Sequence, residues 1–266
     1  MKIAYRRSAA WRAAGVAVAA FALAPSAHAV GTDAGTSIDN VATVDFEVGG
    51  IAQTPIESSP TGNSTPGAGN GSATSFVVDN RVDLTLIEQS GAQTPVSPGQ
   101  ADAVAEFLLT NTGNDTQDYA LTAANLAAGT TVFGGDADTI DANNLRAFAD
   151  TDGSGDFSGG DQPFVDSLAA DASILVFVVA DVPIGATNDD YANVSLTATT
   201  AVAGSSGATI VTATTGGDTA GVDIVFGDAG NDGLETAEDG YVVSAATLTV
   251  TKSETIISDP FNGTTD

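Results

Sequence analysis

The residues best suited to chemistry form one string, Asp150-Thr-Asp-Gly-Ser-Gly-Asp-Phe-Ser-Gly-Gly-Asp161. A loop that wraps a hard divalent cation offers oxygens at its first, third and fifth positions, a backbone carbonyl at the seventh and a ligand or bound water at the ninth. It closes with a carboxylate at the twelfth and needs glycine at the sixth for the sharp turn. Asp150, Asp152, Ser154, Asp156, Ser158 and Asp161 fill the ligand slots in order, Gly155 takes the turn, and Phe157 stands at the eighth place as an apolar anchor. The spacing predicts a calcium site. Two features depart from the helix-flanked form: Asp161 is shorter than the usual Glu, and an expected strand, Leu145 to Ala149, precedes the loop. Such an EF-like loop on a β scaffold should bind calcium at about 10⁻⁴ to 10⁻³ M, the range of extracellular modules. Asp, Ser and Gly are also favoured in turns for backbone reasons alone, so an acidic hairpin turn is the competing reading.

A second, weaker candidate is Gly227-Asp-Ala-Gly-Asn-Asp-Gly-Leu234, followed by Glu235, Glu238 and Asp239. It is close to one nonapeptide of the β-roll type with Asp228 where a second Gly is expected, but one repeat cannot stack into a roll. Read instead as an EF-like loop, it supplies Asp228, Asp232 and Asp239 as first, fifth and twelfth ligands and loses the third to Gly230. An acidic surface loop between strands is the alternative.

The charge of the whole chain narrows the partners. Its 266 residues carry 34 acidic and 7 basic side chains, a formal net charge of −27. Nucleic-acid binding rests on Lys and Arg neutralising phosphate, so neither DNA, RNA nor an anionic membrane surface is an expected partner. Cations are.

Lys2, Arg6, Arg7 and Arg12, then the apolar stretch Ala13 to Ala24, then Ala27-His28-Ala29, read as a secretory signal over residues 1–29. The stretch is about 12 residues against about 20 for a span, so no membrane span is expected after cleavage. The expected destination is secreted: periplasm, cell surface or extracellular space. Cleavage leaves Arg81, Arg146 and Lys252 as the positive side chains and removes the sole His and sole Trp, in a chain with no Cys. Ser-His-Asp catalysis, thiol nucleophiles and the usual zinc or copper sites are thereby excluded. Stability must come from the core or from bound ions rather than disulfides.

These loops need a scaffold, and the sequence predicts an all-β one. Thr, Val, Ala and Gly dominate, and apolar residues recur with period two. Expected strands are Ile38 to Val48, Thr74 to Val78, Val82 to Glu88, Ala103 to Thr110, Asp118 to Ala123, Leu145 to Ala149, Ile174 to Ala180, Ala192 to Thr200, Val222 to Phe226 and Tyr241 to Val250. The unbroken apolar run Ile174 to Ala180 suits a central strand covered on both faces. Of the acidic residues 27 are Asp and 7 Glu, which places most carboxylates in loops, where they can collect ions. The Pro- and Gly-rich span 58–75 reads as a flexible linker. It separates an N-terminal strand arm, 30–57, from a β-sandwich domain, 76–257, with a polar tail at 258–266. The arm is too small to be stable alone and is expected to pair with the sandwich or with a neighbouring molecule.

Several strings carry a resemblance: Gly35-Thr-Ser-Ile-Asp-Asn-Val-Ala-Thr-Val44, Leu109-Thr-Asn-Thr-Gly-Asn114, Asp181-Val-Pro-Ile-Gly-Ala186 leading into Ser195-Leu-Thr-Ala-Thr-Thr200, and Ala246-Thr-Leu-Thr-Val-Thr-Lys252. With them the chain resembles the secreted bacterial conserved-repeat proteins of unknown function, surface proteins built from immunoglobulin-like sandwiches. The resemblance implies an immunoglobulin-like antiparallel β-sandwich and an envelope or cell-surface role without an established catalytic site. It also implies that the arm closes a preceding repeat and that the chain is a piece of a longer repeat protein.

The expected function is therefore a non-enzymatic structural or adhesion module, stabilised by calcium and pairing strands with other copies of itself or with envelope proteins. The alternative is a carbohydrate-binding or other ligand-binding sandwich. Against it, the cleaved chain has only Tyr119, Tyr191 and Tyr241 as tyrosines and no Trp, where sugar clefts commonly stack rings.

Overall fold

The computed structural model describes residues 31–255 apart from 218, 220 and 247, and within them there are strands and turns but no helix. The signal (1–29) and tail (258–266) lie outside the described residues. The first strands are short: β1 (Ser37–Asn40), β2 (Thr43–Val44), β3 (Glu47–Val48), β4 (Ile51–Ala52), β5 (Ile56–Glu57), β6 (Thr74–Val77) and β7 (Asn80–Val82). Next come β8 (Leu84–Glu88), β9 (Thr94–Val96), β10 (Ala103–Asn111), β11 (Gln117–Asn125) and β12 (Asn143–Ala149). The chain continues with β13 (Phe164–Leu168), β14 (Ser173–Asp181), β15 (Tyr191–Ala201), β16 (Ile224–Phe226) and β17 (Leu234–Val243).

Two sheets form a sandwich, one ordered β12-β14-β10-β8 and the other β13-β11-β15-β17-β9. The pairings are antiparallel except that β9 lies parallel to β17 and β16 parallel to β7. Strands β9 and β13 lie at the two edges of the second sheet, and β12 and β8 at the edges of the first. Alternation fills the space between: Ala105, Phe107 and Leu109 from β10 meet Val194, Leu196 and Ala198 from β15, all fully buried. Tyr241 ties the layers together, because its hydroxyl leaves β17 and donates to Val178 O on the facing sheet at 2.8 Å.

From β10 to β15 the chain changes sheet at every step. Strands β12 and β13 are edge strands of opposite sheets, so the link between them crosses the open flank of the sandwich. The link is 150–163, which contains the first acidic loop.

The arm is one ladder of nested hairpins. Ser37 to Asn40 pair with Val77 to Thr74, then β2 with β5 and β3 with β4. The run Ile38 to Val48, expected as one strand, is broken into three because Val41-Ala42 and Asp45-Phe46 leave the ladder. Residues 58–73 of the expected linker fold over Glu57, whose carboxylate accepts the N–H of Gly69 at 2.8 Å and of Gly71 at 3.1 Å. A Cβ at Gly71 would stand 2.6 Å from Ser58 O, so only glycine allows this approach. Thr74 and Ser75 already belong to β6, so the expected linker is the return limb of the arm's own hairpin.

Candidate metal centre

Asp150 comes directly after β12, and the loop returns at Gln162, which bridges back to Ala149 (Ala149 N to Gln162 O, 2.8 Å). The twelve residues are thus closed at their base. Asp150 builds the first turn by accepting the N–H of Ser154 at 3.1 Å on one oxygen and that of Gly155 at 3.0 Å on the other. Gly155 sits at φ 78°, the left-handed conformation that the sharp turn requires. Asp152 accepts the Ser154 N–H at 3.0 Å and the Ser158 hydroxyl at 2.7 Å. Asp161 closes the loop, taking the Ser158 N–H at 2.7 Å and the Thr151 N–H at 3.3 Å.

The result is convergence. One carboxylate oxygen from each of Asp150, Asp152 and Asp161 lies within 4.8 Å of the other two, the only such group among the described residues. The Ser158 and Ser154 hydrogen bonds hold the Asp152 carboxyl below the ordinary Asp range, with a smaller opposing pull from desolvation. Ser154 gives its hydroxyl to the carbonyl of Asp156 at 2.8 Å. That orders the seventh-position carbonyl, while the side chain of Asp156 is exposed. Three carboxylates repel one another at this range, and a divalent cation among them would relieve the repulsion.

Phe157 seats the loop. Its ring packs 5.0 Å from Phe148 and 6.4 Å from Phe177, which face each other across the β12–β14 register. Val176, Val178 and Ala180 belong to the core between the sheets, so Phe177 points to the outer face and yet is fully buried there. This accounts for the unbroken apolar run Ile174 to Ala180.

The second acidic loop starts the same way and then diverges. Asp228 accepts the N–H of Asp232 at 3.1 Å and of Gly233 at 3.0 Å, the same i+4 and i+5 donors that Asp150 takes. Burial pushes the pKa of Asp228 up, but these backbone donors win and leave it below the ordinary Asp range. Gly230 supplies no ligand, and the chain enters β17 at Leu234. Asp239 is therefore carried about 17 Å along an extended strand from Leu234, at about 3.3 Å per residue. It stands opposite Val194, on the face shared with Ala237 and Tyr241, inside the sandwich. Asp239 does not join Asp228 and Asp232, so the three carboxylates do not converge. Asp239 is fully buried; its Oδ1 accepts the Gly240 N–H at 2.6 Å and its Oδ2 has no partner. Burial pushes its pKa up to about 7, aided by the charges of Glu88 and Glu106 and opposed by the Gly240 donor.

Both arginines among the described residues are spent elsewhere. Arg81 pairs with Asp83, and Arg146 pairs with Asp102 while its guanidinium lies 5.9 Å from the Phe148 ring centre. Tyr119 and Tyr241 are fully buried, so neither offers a surface for ring stacking.

No protein-family model matches the chain, and no curated protein does. A likeness to a solved structure, described as AvmM catalysing macrocyclization in alchivemycin A biosynthesis, covers 65% of this chain and 95% of that one. At 13% identity and a TM-score of 0.26 it carries no argument.

Proposed function

We propose that this chain is an exported, non-enzymatic structural or adhesion module with an immunoglobulin-like sandwich, stiffened by one calcium ion in the loop 150–161. The observation that supports it most is the meeting of Asp150, Asp152 and Asp161 on a loop clamped at both ends. Asp150, Asp152 and Asp161 would supply charge, with Ser154, the Asp156 carbonyl and Ser158 as further oxygens. All are hard ligands of the kind calcium prefers. The loop links the edges of two sheets, so an ion held there would brace the open flank of the sandwich. Binding to the folded state alone stabilises it by about 2.7 kcal/mol at a hundredfold excess of ion over its dissociation constant.

Thermal melting in calcium, in magnesium and in sodium chloride of matched ionic strength tests this reading, with an Asp150→Ala, Asp152→Ala variant beside the parent. Calcium should raise the melting temperature of the parent alone. Equal shifts in the variant, or none beyond ionic strength in the parent, would leave the loop as an acidic turn.

A further inference from the structure

Beyond β17 the chain runs on as Ala246-Thr-Leu-Thr-Val-Thr-Lys252. Its Leu248-Thr-Val250 repeats the pattern Leu84-Thr-Leu86 of β8, where both leucines are buried in the core. Here the apolar pair is bare: Leu248 is 85% and Val250 82% exposed, and none of the described residues 245–255 belongs to a ladder. A segment with the alternation of a strand and no partner is a strand in want of a sheet.

An open sheet lies at the other end of the molecule. The β1–β6 ribbon is only two strands wide, with Phe76 59% exposed, and beside it a cleft of about 430 Å³ is lined by Ile38, Phe76 and Val78 with Asn114 and Arg81. Its base is held to the loop after β10, where Asn114 donates to Thr32 O at 3.0 Å and Asp79 O at 2.9 Å. The trailing segment leaves instead beside Asn188, which accepts the Ala245 N–H at 3.1 Å. Strand β15 runs from the one end, at Tyr191, to the other, at Ala201, about 33 Å at about 3.3 Å per residue. Donor and acceptor thus face opposite ways on one chain.

We infer that the segment 248–251 of one copy adds as a third strand to the β1–β6 ribbon of the next, turning Leu248 and Val250 toward Ile38, Phe76 and Val78. Charge favours this occupant over another part of so acidic a chain. No carboxylate lies between Asp239 and Glu254, and the stretch ends on Lys252, while the β1–β6 ribbon and its flanks carry Asp33, Asp39 and Asp79. The contact is heterologous, using two different surfaces, and therefore builds an open chain of molecules rather than a closed dimer. The inference goes beyond the proposed function and is independent of the ion.

Sedimentation velocity over a concentration series of the full chain tests it, using Leu248→Asp, Val250→Asp as a donor variant and Phe76→Asp as an acceptor variant. All three side chains are mostly exposed, so folding should survive, which circular dichroism checks. The parent should grow with concentration beyond a dimer, and each variant alone should stay monomeric. A mixture of the two variants should give a particle of twice the monomer mass and no larger, because one good donor and one good acceptor remain. A parent that stays monomeric, a donor variant that assembles like the parent, or a mixture without a dimer would overturn the inference. The Asp150→Ala, Asp152→Ala variant should assemble like the parent even if it fails to respond to calcium, which separates this contact from the ion reading.

Discussion

The two acidic loops begin with the same turn and end in different geometry. Asp150 and Asp228 each fold over the N–H groups four and five residues on, with Gly155 and Gly233 both at positive φ. In the first loop the chain stays coiled, and Asp152 and Asp161 return to within 4.8 Å of Asp150. In the second, extended backbone begins at once and draws Asp239 into the core. A count of carboxylates at the right spacing is therefore insufficient. The path of the backbone beyond the turn decides whether they meet, and here a glycine-rich return, Ser158-Gly-Gly-Asp161, does what a strand cannot.

Substitutions at either loop separate the two. The largest expected effect is loss of the calcium response in Asp150→Ala, Asp152→Ala. About 2.7 kcal/mol of ion stabilisation corresponds to a melting shift of about 5 to 10 °C in a chain of this size, and the variant should show none of it.

Next comes Asp239→Asn. Because the pKa of Asp239 in the folded chain is raised from the ordinary Asp range to about 7, the folded state resists ionisation of this group. The penalty is absent below about pH 4, grows as pH rises toward 7 and is constant above it. The Asn variant should thus gain on the parent across that window, by about 2 kcal/mol at pH 8 after discounting for relaxation, as measured by urea unfolding. Asp152 has the opposite sign. Its lowered pKa means that its contribution is present above about pH 4 and lost as acid protonates it, so the first loop should weaken in acid while the interior around Asp239 does not.

Phe157→Ala should cost about 1 to 2 kcal/mol, since the ring is half-buried over Phe148 and Phe177, and should also weaken calcium binding by loosening the loop. The smallest effect belongs to Asp228→Ala. It should lose about 1 kcal/mol of turn stability and leave the calcium titration unchanged, because the carboxylates of the second loop do not converge as those of Asp150, Asp152 and Asp161 do.

Much of the scaffold was legible because period-two alternation survives wherever one face is buried, as in Ala103 to Thr110 and Ala192 to Thr200. Strand β9 was missed because it is three residues with a central proline, and β13 because Asp166 and Ser167 interrupt its apolar pattern. The last strand was displaced: Tyr241 to Val250 was expected, whereas β17 is Leu234–Val243. Glu235, Glu238 and Asp239 make its first half look like loop, and the clean alternation of Leu248 and Val250 falls where no partner strand lies among the described residues. At the first acidic loop, residue types and spacing carried the reading, while the role of Phe157 on the outer face of β14 depends on the register of β12. For Asp239 no local signal could serve, since its place in the core arises from its pairing with Val194.

Calorimetric titration of calcium into the chain, with the Asp152→Ala and Asp228→Ala variants in parallel, tests the central claim most directly. One saturable site is expected in the parent, one in Asp228→Ala and none in Asp152→Ala. Binding that survives in Asp152→Ala and disappears in Asp228→Ala would contradict it.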